Sequence, residues 1–167
     1  MRLFVCQGCG QMVYFENVSC TRCGAVLGFA PDTLAVQALA PVTATDWQPI
    51  GGGATYRHCA NRVQHDVCNW LVDVADGDPF CIACRLNQTI PDLSVPGNIV
   101  LWQRLELEKR RLVYSLLRLG LPVAQRAQDP AGLAFAFLAD TAPEFDESGR
   151  VLTGHAAGLI TLNVAEA

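Results

Sequence analysis

The sequence is short of charge, and almost all of its positive charge is arginine. Charged residues make up 17% of the 167 residues, the formal net charge is −4, and Lys109 is the single lysine. Proteins that hold nucleic acid through its phosphates need clustered cations to displace counterions. This composition therefore argues against a nucleic-acid partner.

Long apolar runs are missing as well. The longest one, Leu133 to Ala139, is far shorter than the roughly 20 residues of a membrane-spanning helix. The first residues contain no apolar stretch of the roughly 7–15 residues typical of a secretory signal peptide. We therefore expect no membrane association and a cytoplasmic location. Because 51% of the residues are hydrophobic, the sequence also excludes intrinsic disorder.

Eight cysteines are the most informative part of the composition. Thiols in the cytoplasm stay reduced, so we do not expect disulfides. Two residues between a pair of cysteines let both thiolates reach one tetrahedral metal ion. The eight cysteines form two groups, each predicting a Cys₄ zinc site: Cys6, Cys9, Cys20 and Cys23, and then Cys59, Cys68, Cys81 and Cys84.

The first group has the Cys-x2-Cys-x10-Cys-x2-Cys spacing of a zinc ribbon. Gly10 and Gly24 each follow the second cysteine of a pair, where a positive φ turns backbone N–H groups toward the sulfurs. Residues 12–15 and the Glu16-Asn17 turn predict a short hairpin between the pairs. A redox function is disfavoured, because a redox CxxC motif needs a single pair on a βαβ unit, whereas two CxxC pairs lie within 18 residues here.

The second group has the less regular spacing Cys-x8-Cys-x12-Cys-x2-Cys. Alternation of apolar and polar residues from Val67 to Val74 predicts a half-buried strand with Cys68 on its apolar face. The turn signal at residues 76–79 predicts that the chain reverses there and brings Cys81 back toward Cys68.

Two histidines leave the fourth ligand of the second site open. His58 or His65 could replace Cys59, because imidazole is an equally normal zinc ligand. We favour Cys59 and expect both histidines at the surface. Four thiolates would close each shell, so two structural zinc ions are predicted, with iron as the alternative metal. Each ribbon is expected to fold around its own metal.

The placement of proline, glycine and cysteine predicts three segments in an α+β protein. Residues 1–29 form the first zinc ribbon, residues 30–90 a linker and the second Cys₄ zinc-ribbon unit, and residues 91–167 a long helix plus a small β-sheet. The stretch 30–55 is interpreted as connecting because it contains several prolines and a run of three glycines. A short strand is predicted within it at 34–39.

The helix is predicted to follow residues 91–97. Asn98 or Ser94 is the expected N-cap, and Gly120 gives a stop signal. Glu106 and Arg110 are expected to pair on the polar side. The apolar side is predicted from residues at helical spacing: Trp102, Leu105, Leu112, Leu116 and Leu119.

Three strands are predicted after the helix. They cover 133–138, 151–154 and 158–164, with His155 in the turn that joins the last two. An acidic loop is predicted at 140–148. The resulting sheet face is rich in leucine and phenylalanine and has only one obvious helix to cover it.

Six stretches carry a family resemblance: CQGCG at 6–10, CTRCG at 20–24, CNWLV at 68–72, CIACR at 81–85, TIPDLS at 89–94 and GHAAGLITLN at 154–163. In this order they resemble the bacterial putative zinc-binding metallopeptidases that carry an N-terminal zinc ribbon. The resemblance implies that residues 91–167 are the N-terminal part of a zincin-like domain.

Members of that family continue, past the positions that match 163–167, into a helix with His-Glu-x-x-His. Its histidines bind zinc and its glutamate activates water. The only histidines here are His58, His65 and His155, and no such motif is present, so no residue takes over the catalytic roles.

Two hypotheses follow for the function. The chain is either the N-terminal part of a zinc metallopeptidase or a complete, non-catalytic module that binds a protein or peptide partner. The unfinished sheet favours the first hypothesis, and the stated length favours the second.

Overall fold

The computed structural model describes residues 3–140 and 149–167 of an α+β protein. The chain divides into two compact units, Met1–Ile82 and Ala83–Ala167. We call these the N-terminal and the C-terminal unit. The division falls inside the Cys81–Cys84 pair. Among the described residues, no helix is long and apolar enough to cross a membrane.

The N-terminal unit contains a hairpin, a five-stranded antiparallel sheet and a short helix. The hairpin pairs β1 (Phe4–Val5) with β2 (Met12–Val13). The sheet has its strands in chain order: β3 (Val26–Ala30), β4 (Ala35–Pro41), β5 (Asp46–Pro49), β6 (Tyr56–His58) and β7 (Leu71–Asp73). Helix α1 (Ala60–His65) lies between β6 and β7.

The two outer strands of this sheet meet each other. The Phe29 N–H donates to the Asn69 carbonyl at 2.8 Å, and Phe29 forms a parallel bridge with Trp70. The sheet therefore curls until β3 reaches the residues just before β7. Aromatic rings fill the space at this closure, with ring centroids 4.6 Å apart for Phe29 and Trp70 and 4.9 Å apart for Phe15 and Phe29.

The N-terminal unit departs from two expectations. The stretch 30–55, interpreted as connecting, holds two strands of the sheet: β4, which confirms the short strand predicted at 34–39, and β5, which was not predicted. The strand predicted over 67–74 is shorter, since β7 covers only Leu71–Asp73. Buried and exposed residues do not alternate there either, because every residue from Val67 to Val72 is buried, including Asn69 at 2% exposure. The two ribbons also pack against each other, because Phe15 of the first contacts Trp70 of the second. A sheet that curls onto itself buries side chains that an open sheet would expose.

The C-terminal unit combines a four-stranded sheet with one long helix. The strands lie in the order β10-β11-β9-β8, with β10 antiparallel and the others parallel. The elements are β8 (Asn87–Thr89), α2 (Asn98–Arg118), β9 (Ala134–Leu138), β10 (Gly154–Ala156) and β11 (Leu159–Asn163). Two 3₁₀ turns cover Cys84–Leu86 and Val164–Glu166.

The predicted strands of this unit are confirmed in outline and corrected in detail. Residues 151–153 form no strand, and His155 lies within β10 opposite Ile160 instead of in a connecting turn. The turn falls at Ala157 and Gly158, both with positive φ. The predicted acidic loop lies outside the described residues except for its first residue, Asp140.

Helix α2 begins and ends close to the predicted positions, but its N-cap differs. Gly97 occupies the cap with φ 93° and no side-chain hydrogen bond. The Asn98 amide instead donates to the Asp92 carbonyl at 2.8 Å, and the Ser94 hydroxyl donates to the Asp92 carboxylate at 2.7 Å. Gly120 has φ 68°, which confirms the stop signal.

The predicted faces of α2 are only partly right. Trp102, predicted on the apolar side, is fully buried, and Leu105 and Leu116 are half-buried. Glu106 and Arg110, expected on the polar side, are buried, whereas Leu112 and Leu119 are 42% and 72% exposed. Lys109 is buried beside Glu106. The prediction failed because hydrophobic periodicity places every charged residue at the solvent-exposed side of a helix. It does not take into account that Lys109 can be buried when Glu106 of the same helix and Asn87 of β8 bind its ammonium.

Candidate metal centres

The first group of cysteines comes together at the turn end of the hairpin, where Cys6 and Cys9 lie in the loop between β1 and β2. Its four sulfurs lie within 4.8 Å of one another, with Cys6 and Cys23 at 3.7 Å and Cys9 and Cys20 at 3.6 Å. A tetrahedral zinc ion with Zn–S bonds of about 2.3 Å requires sulfurs about 3.8 Å apart. The thiols are unbonded to each other, since a disulfide bond measures about 2.05 Å. The donor set and its spacing therefore fit zinc.

Two equivalent backbone turns hold these cysteines. The Gly10 N–H donates to the Cys6 carbonyl at 2.9 Å, and the Gly24 N–H donates to the Cys20 carbonyl at 2.8 Å. Gly10 has φ 75° and Gly24 has φ 74°. Since a side chain would be strained in this conformation, the glycines after each pair belong to the local geometry that the spacing predicted.

The first turn is also anchored to the five-stranded sheet through Gln7, a residue the sequence did not single out. The Ala38 N–H donates to Gln7 Oε1 at 2.6 Å, and Gln7 Nε2 donates to the Val36 carbonyl at 3.3 Å. Its position, as a polar residue between the predicted ligands Cys6 and Cys9, is the sequence signal that could have predicted a structural role for Gln7. Gln7 ties one half of the cluster to β4.

The thiols of the first cluster differ in acidity. The Cys23 backbone N–H lowers the pKa of Cys20 to about 6, because it outweighs desolvation with the help of the Arg22 N–H and the thiols of Cys9 and Cys23. The Gln11 N–H acts in the same direction on Cys9, but desolvation and three neighbouring thiols outweigh it and raise its pKa to about 12. Desolvation raises the pKa of Cys6. Cys20 is therefore the first of these three to become a thiolate.

The second group of cysteines comes together with all four residues buried. Its sulfurs also lie within 4.8 Å of one another, and Cys68 and Cys81 are 3.8 Å apart. Backbone N–H groups point at two of the sulfurs: Trp70 donates to Cys68 and Cys81 donates to Cys59, both at 3.4 Å. Such bonds stabilise and orient thiolate ligands. This donor set fits zinc in the same way.

The two histidines considered as ligands lie outside the cluster. Both are half-buried, so the expectation that they are surface groups holds only in part. The His58 ring lies 5.4 Å from the Trp47 ring, and its Nδ1 has no hydrogen-bond partner among the described residues. Burial, with a smaller effect of Arg62, lowers the pKa of His58. His58 is thus held as a neutral packing residue.

Each cluster supplies four thiols, which is the full coordination of a tetrahedral ion. A catalytic zinc ion keeps one position for water, and neither group reserves one. Across residues 3–140 and 149–167, these are the two groups of histidine, cysteine or acidic residues close enough to hold a metal ion. The structure brings each predicted set of four together.

Two family models match successive parts of the chain, and both cysteine clusters lie within the first match. Residues 3–95 match a family described as zinc-ribbon domain, and residues 98–167 match one described as Putative zinc-binding metallo-peptidase. Uncharacterised proteins of Mycobacterium bovis and of two Mycobacterium tuberculosis strains are 36% identical over 99% of this chain. The chain spans 44% of the length of these relatives. No solved structure matches it.

Proposed function

Because this chain belongs to the family of putative zinc-binding metallo-peptidases with an N-terminal zinc ribbon, we propose that it is a zinc-stabilised scaffold of such a peptidase. One zinc ion is held by Cys6, Cys9, Cys20 and Cys23, and a second by Cys59, Cys68, Cys81 and Cys84. The metal ions supply structure and no chemistry at a substrate. Eight cysteines without a disulfide bond suit a reducing compartment such as the cytoplasm.

The sulfur spacing is the observation that supports this proposal most directly. Three S···S distances, from 3.6 to 3.8 Å, match the edge of a zinc–thiolate tetrahedron. Without a metal ion, four thiols this close together would lose hydration and gain only weak interactions with one another. Metal binding therefore contributes directly to the folding free energy.

Metal analysis of the purified chain tests the proposal. We expect two zinc ions per chain by elemental analysis and by native mass spectrometry. Replacing Cys9 and Cys20 by serine is expected to leave one zinc ion, and so is replacing Cys68 and Cys81. A variant at Met12, which lies on the hairpin but offers no thiol, is the control and should retain both ions. Iron in place of zinc, or fewer than two ions in the native chain, contradicts the proposal.

The peptidase part of the proposal concerns the longer proteins that the chain resembles. The sequence contains no His-Glu-x-x-His, so the zinc-loaded chain of 167 residues is expected to cleave no peptide bond. Incubation with a mixed peptide library and mass spectrometry of the products measures this. Cleavage that a chelator abolishes would show that these residues do contain a catalytic site.

A protein-interaction module is the second candidate, and the outer side of the hairpin supports it. Leu3, Val5, Met12 and Tyr14 are each 50–58% exposed there. Clustered exposed apolar side chains are typical of surfaces that bind other proteins. Under this candidate, a stoichiometric partner copurifies with the native protein, and a Met12→Glu variant loses that partner while keeping both zinc ions. Loss of a zinc ion in the variant would instead point to misfolding.

A further inference from the structure

The residues between two ligands of the second cluster also contact the first ribbon. Trp70 is fully buried, its N–H donates to the Cys68 sulfur at 3.4 Å, and its carbonyl accepts from the Cys59 N–H at 3.2 Å. The backbone of Trp70 therefore positions two of the four thiols. Any displacement of Trp70 changes the geometry of the second site directly.

The same segment is held from the other side by the first ribbon. Asn69 is 2% exposed, and its side-chain amide donates to the Phe15 carbonyl. The Phe15 ring lies 6.2 Å from the Trp70 ring, and both lie beside Phe29. Phe15 belongs to the segment enclosed between Cys9 and Cys20, so a metal ion in the first site fixes the position of Phe15.

We propose that Asn69 and Trp70 couple the two metal sites, so that filling either site raises the affinity of the other. This inference rests on the proposed two structural zinc ions. Metal in the first site holds the Phe15 carbonyl where Asn69 binds it, and Asn69 holds the backbone that aims the Trp70 N–H at Cys68. Linkage requires the effect to be reciprocal. Asn69 is a positioning residue here, because its side-chain amide acts through the Phe15 carbonyl.

Three metal-binding constants measure the coupling. Chelator competition on the wild-type chain gives the overall constant for binding two zinc ions. The Cys68→Ser, Cys81→Ser double variant gives the constant of the first site alone, and the Cys9→Ser, Cys20→Ser double variant gives that of the second. Independent sites make the overall constant equal to the product of the other two. We expect it to exceed the product by about 5- to 150-fold, the usual range of coupling between sites.

The Asn69→Leu variant tests whether the proposed residues carry the coupling. Leucine keeps the approximate volume of the side chain and removes the donor to Phe15. The ratio of the overall constant to the product of the two single-site constants should therefore fall toward one. Leu39→Ala is the control, because it removes buried apolar volume from the cluster that Leu39 forms with Ala30, Tyr56 and Leu71. Its ratio should stay close to the wild-type value.

Two outcomes overturn the inference. A wild-type ratio of one means that the sites are independent. An equal fall in the Asn69→Leu and Leu39→Ala variants means that the coupling follows global stability and does not pass through Asn69. Neither outcome affects the metal content, so two zinc ions per wild-type chain would still support the proposed function. Should a double serine variant fail to fold, amide exchange near Trp70 in the wild-type chain, with one and with two equivalents of zinc, reports the same coupling.

Discussion

The ammonium of Lys109 donates to the carboxylate of Glu106 at 2.9 Å, and the two side chains are only 1% and 0% exposed. The Trp102 indole and the Asn87 amide donate to the same carboxylate oxygen. The Lys109 ammonium also lies 5.7 Å from the Phe135 ring and 5.6 Å from the Phe137 ring. Helix α2 therefore presents an ion pair to the core of the C-terminal unit.

Removing the cation of this pair should destabilise the fold strongly. Lys109→Met leaves the Glu106 carboxylate buried without its counter-charge, which lowers the unfolding free energy by about 3–5 kcal/mol. Glu106→Gln combined with Lys109→Met should recover most of the loss, since glutamine still accepts from Trp102 and Asn87. Urea unfolding of the zinc-loaded chain measures both values.

The control for this prediction lies on the same helix at the same spacing. Glu108 and Arg111 form an ion pair with side chains 63% and 36% exposed. Arg111→Met should change the unfolding free energy by less than about 1 kcal/mol, because solvent screens exposed pairs. An equal loss of unfolding free energy in Lys109→Met and Arg111→Met would contradict the argument that burial makes the first pair important.

Burial predicts that the thiols of the two clusters react at different rates. Cys23 is exposed and Cys9 is half-buried, whereas all four cysteines of the second cluster are buried. N-ethylmaleimide should therefore modify Cys23 first in the zinc-loaded chain. We expect it to react at least about tenfold faster than Cys68, because the buried thiol must wait for local opening. Peptide mass spectrometry at several reaction times measures this, and equal rates in urea are the control. Faster labelling of Cys68 would contradict the structure.

Tyr56 should make stability fall at alkaline pH. Desolvation, together with the hydrogen bond that its hydroxyl donates to Asp32 at 2.7 Å, raises the pKa of Tyr56 above its ordinary value of 10. The stabilisation is therefore complete below pH 10. It is lost as the pH rises further, because the unfolded chain ionises first.

Tyr56→Phe tests this dependence. At neutral pH it removes one hydrogen bond, worth about 0.5–1.5 kcal/mol, and above pH 10 its stability should decline less steeply than that of the wild type. Thermal unfolding across the alkaline range gives both results. Tyr14→Phe is the control, because the Tyr14 ring is 58% exposed. Parallel pH profiles for wild type and Tyr56→Phe would refute the assignment.

Gly28 is required where β3 approaches Leu71. A methyl group at Gly28 would lie 2.5 Å from Leu71 Cδ2 and 2.7 Å from its Cγ, and Leu71 is fully buried. Gly28→Ala should therefore destabilise the chain by about 1–3 kcal/mol through overpacking. The additional change Leu71→Ala should be less harmful in this background than in the wild type. Gly51→Ala is the control, since nothing lies within 4 Å of the methyl group there. Thermal unfolding that ranks Gly51→Ala below Gly28→Ala in stability would disprove the packing argument.

The local features of this protein could be predicted from the sequence because each depends on neighbours along the chain. The CxxC pairs and the glycines that follow them define backbone turns of a few residues. The limits of α2 follow from residues 91–97, which precede the helix, and from the stop signal at Gly120. The α+β class and the strand at 133–138 follow from periodicity.

Tertiary structure decided which of these features share a core. The closure of the sheet depends on Phe29 meeting Trp70, some forty positions later, and no local pattern marks that meeting. The Asn69 amide reaches Phe15 across a similar distance in sequence. The burial of Glu106 and Lys109 depends on Asn87 from β8 and on the rings of β9. Spacing along a chain determines what a short segment can bind. Burial and pairing are determined only when distant segments pack, because desolvation and hydrogen bonding depend on every neighbour in space.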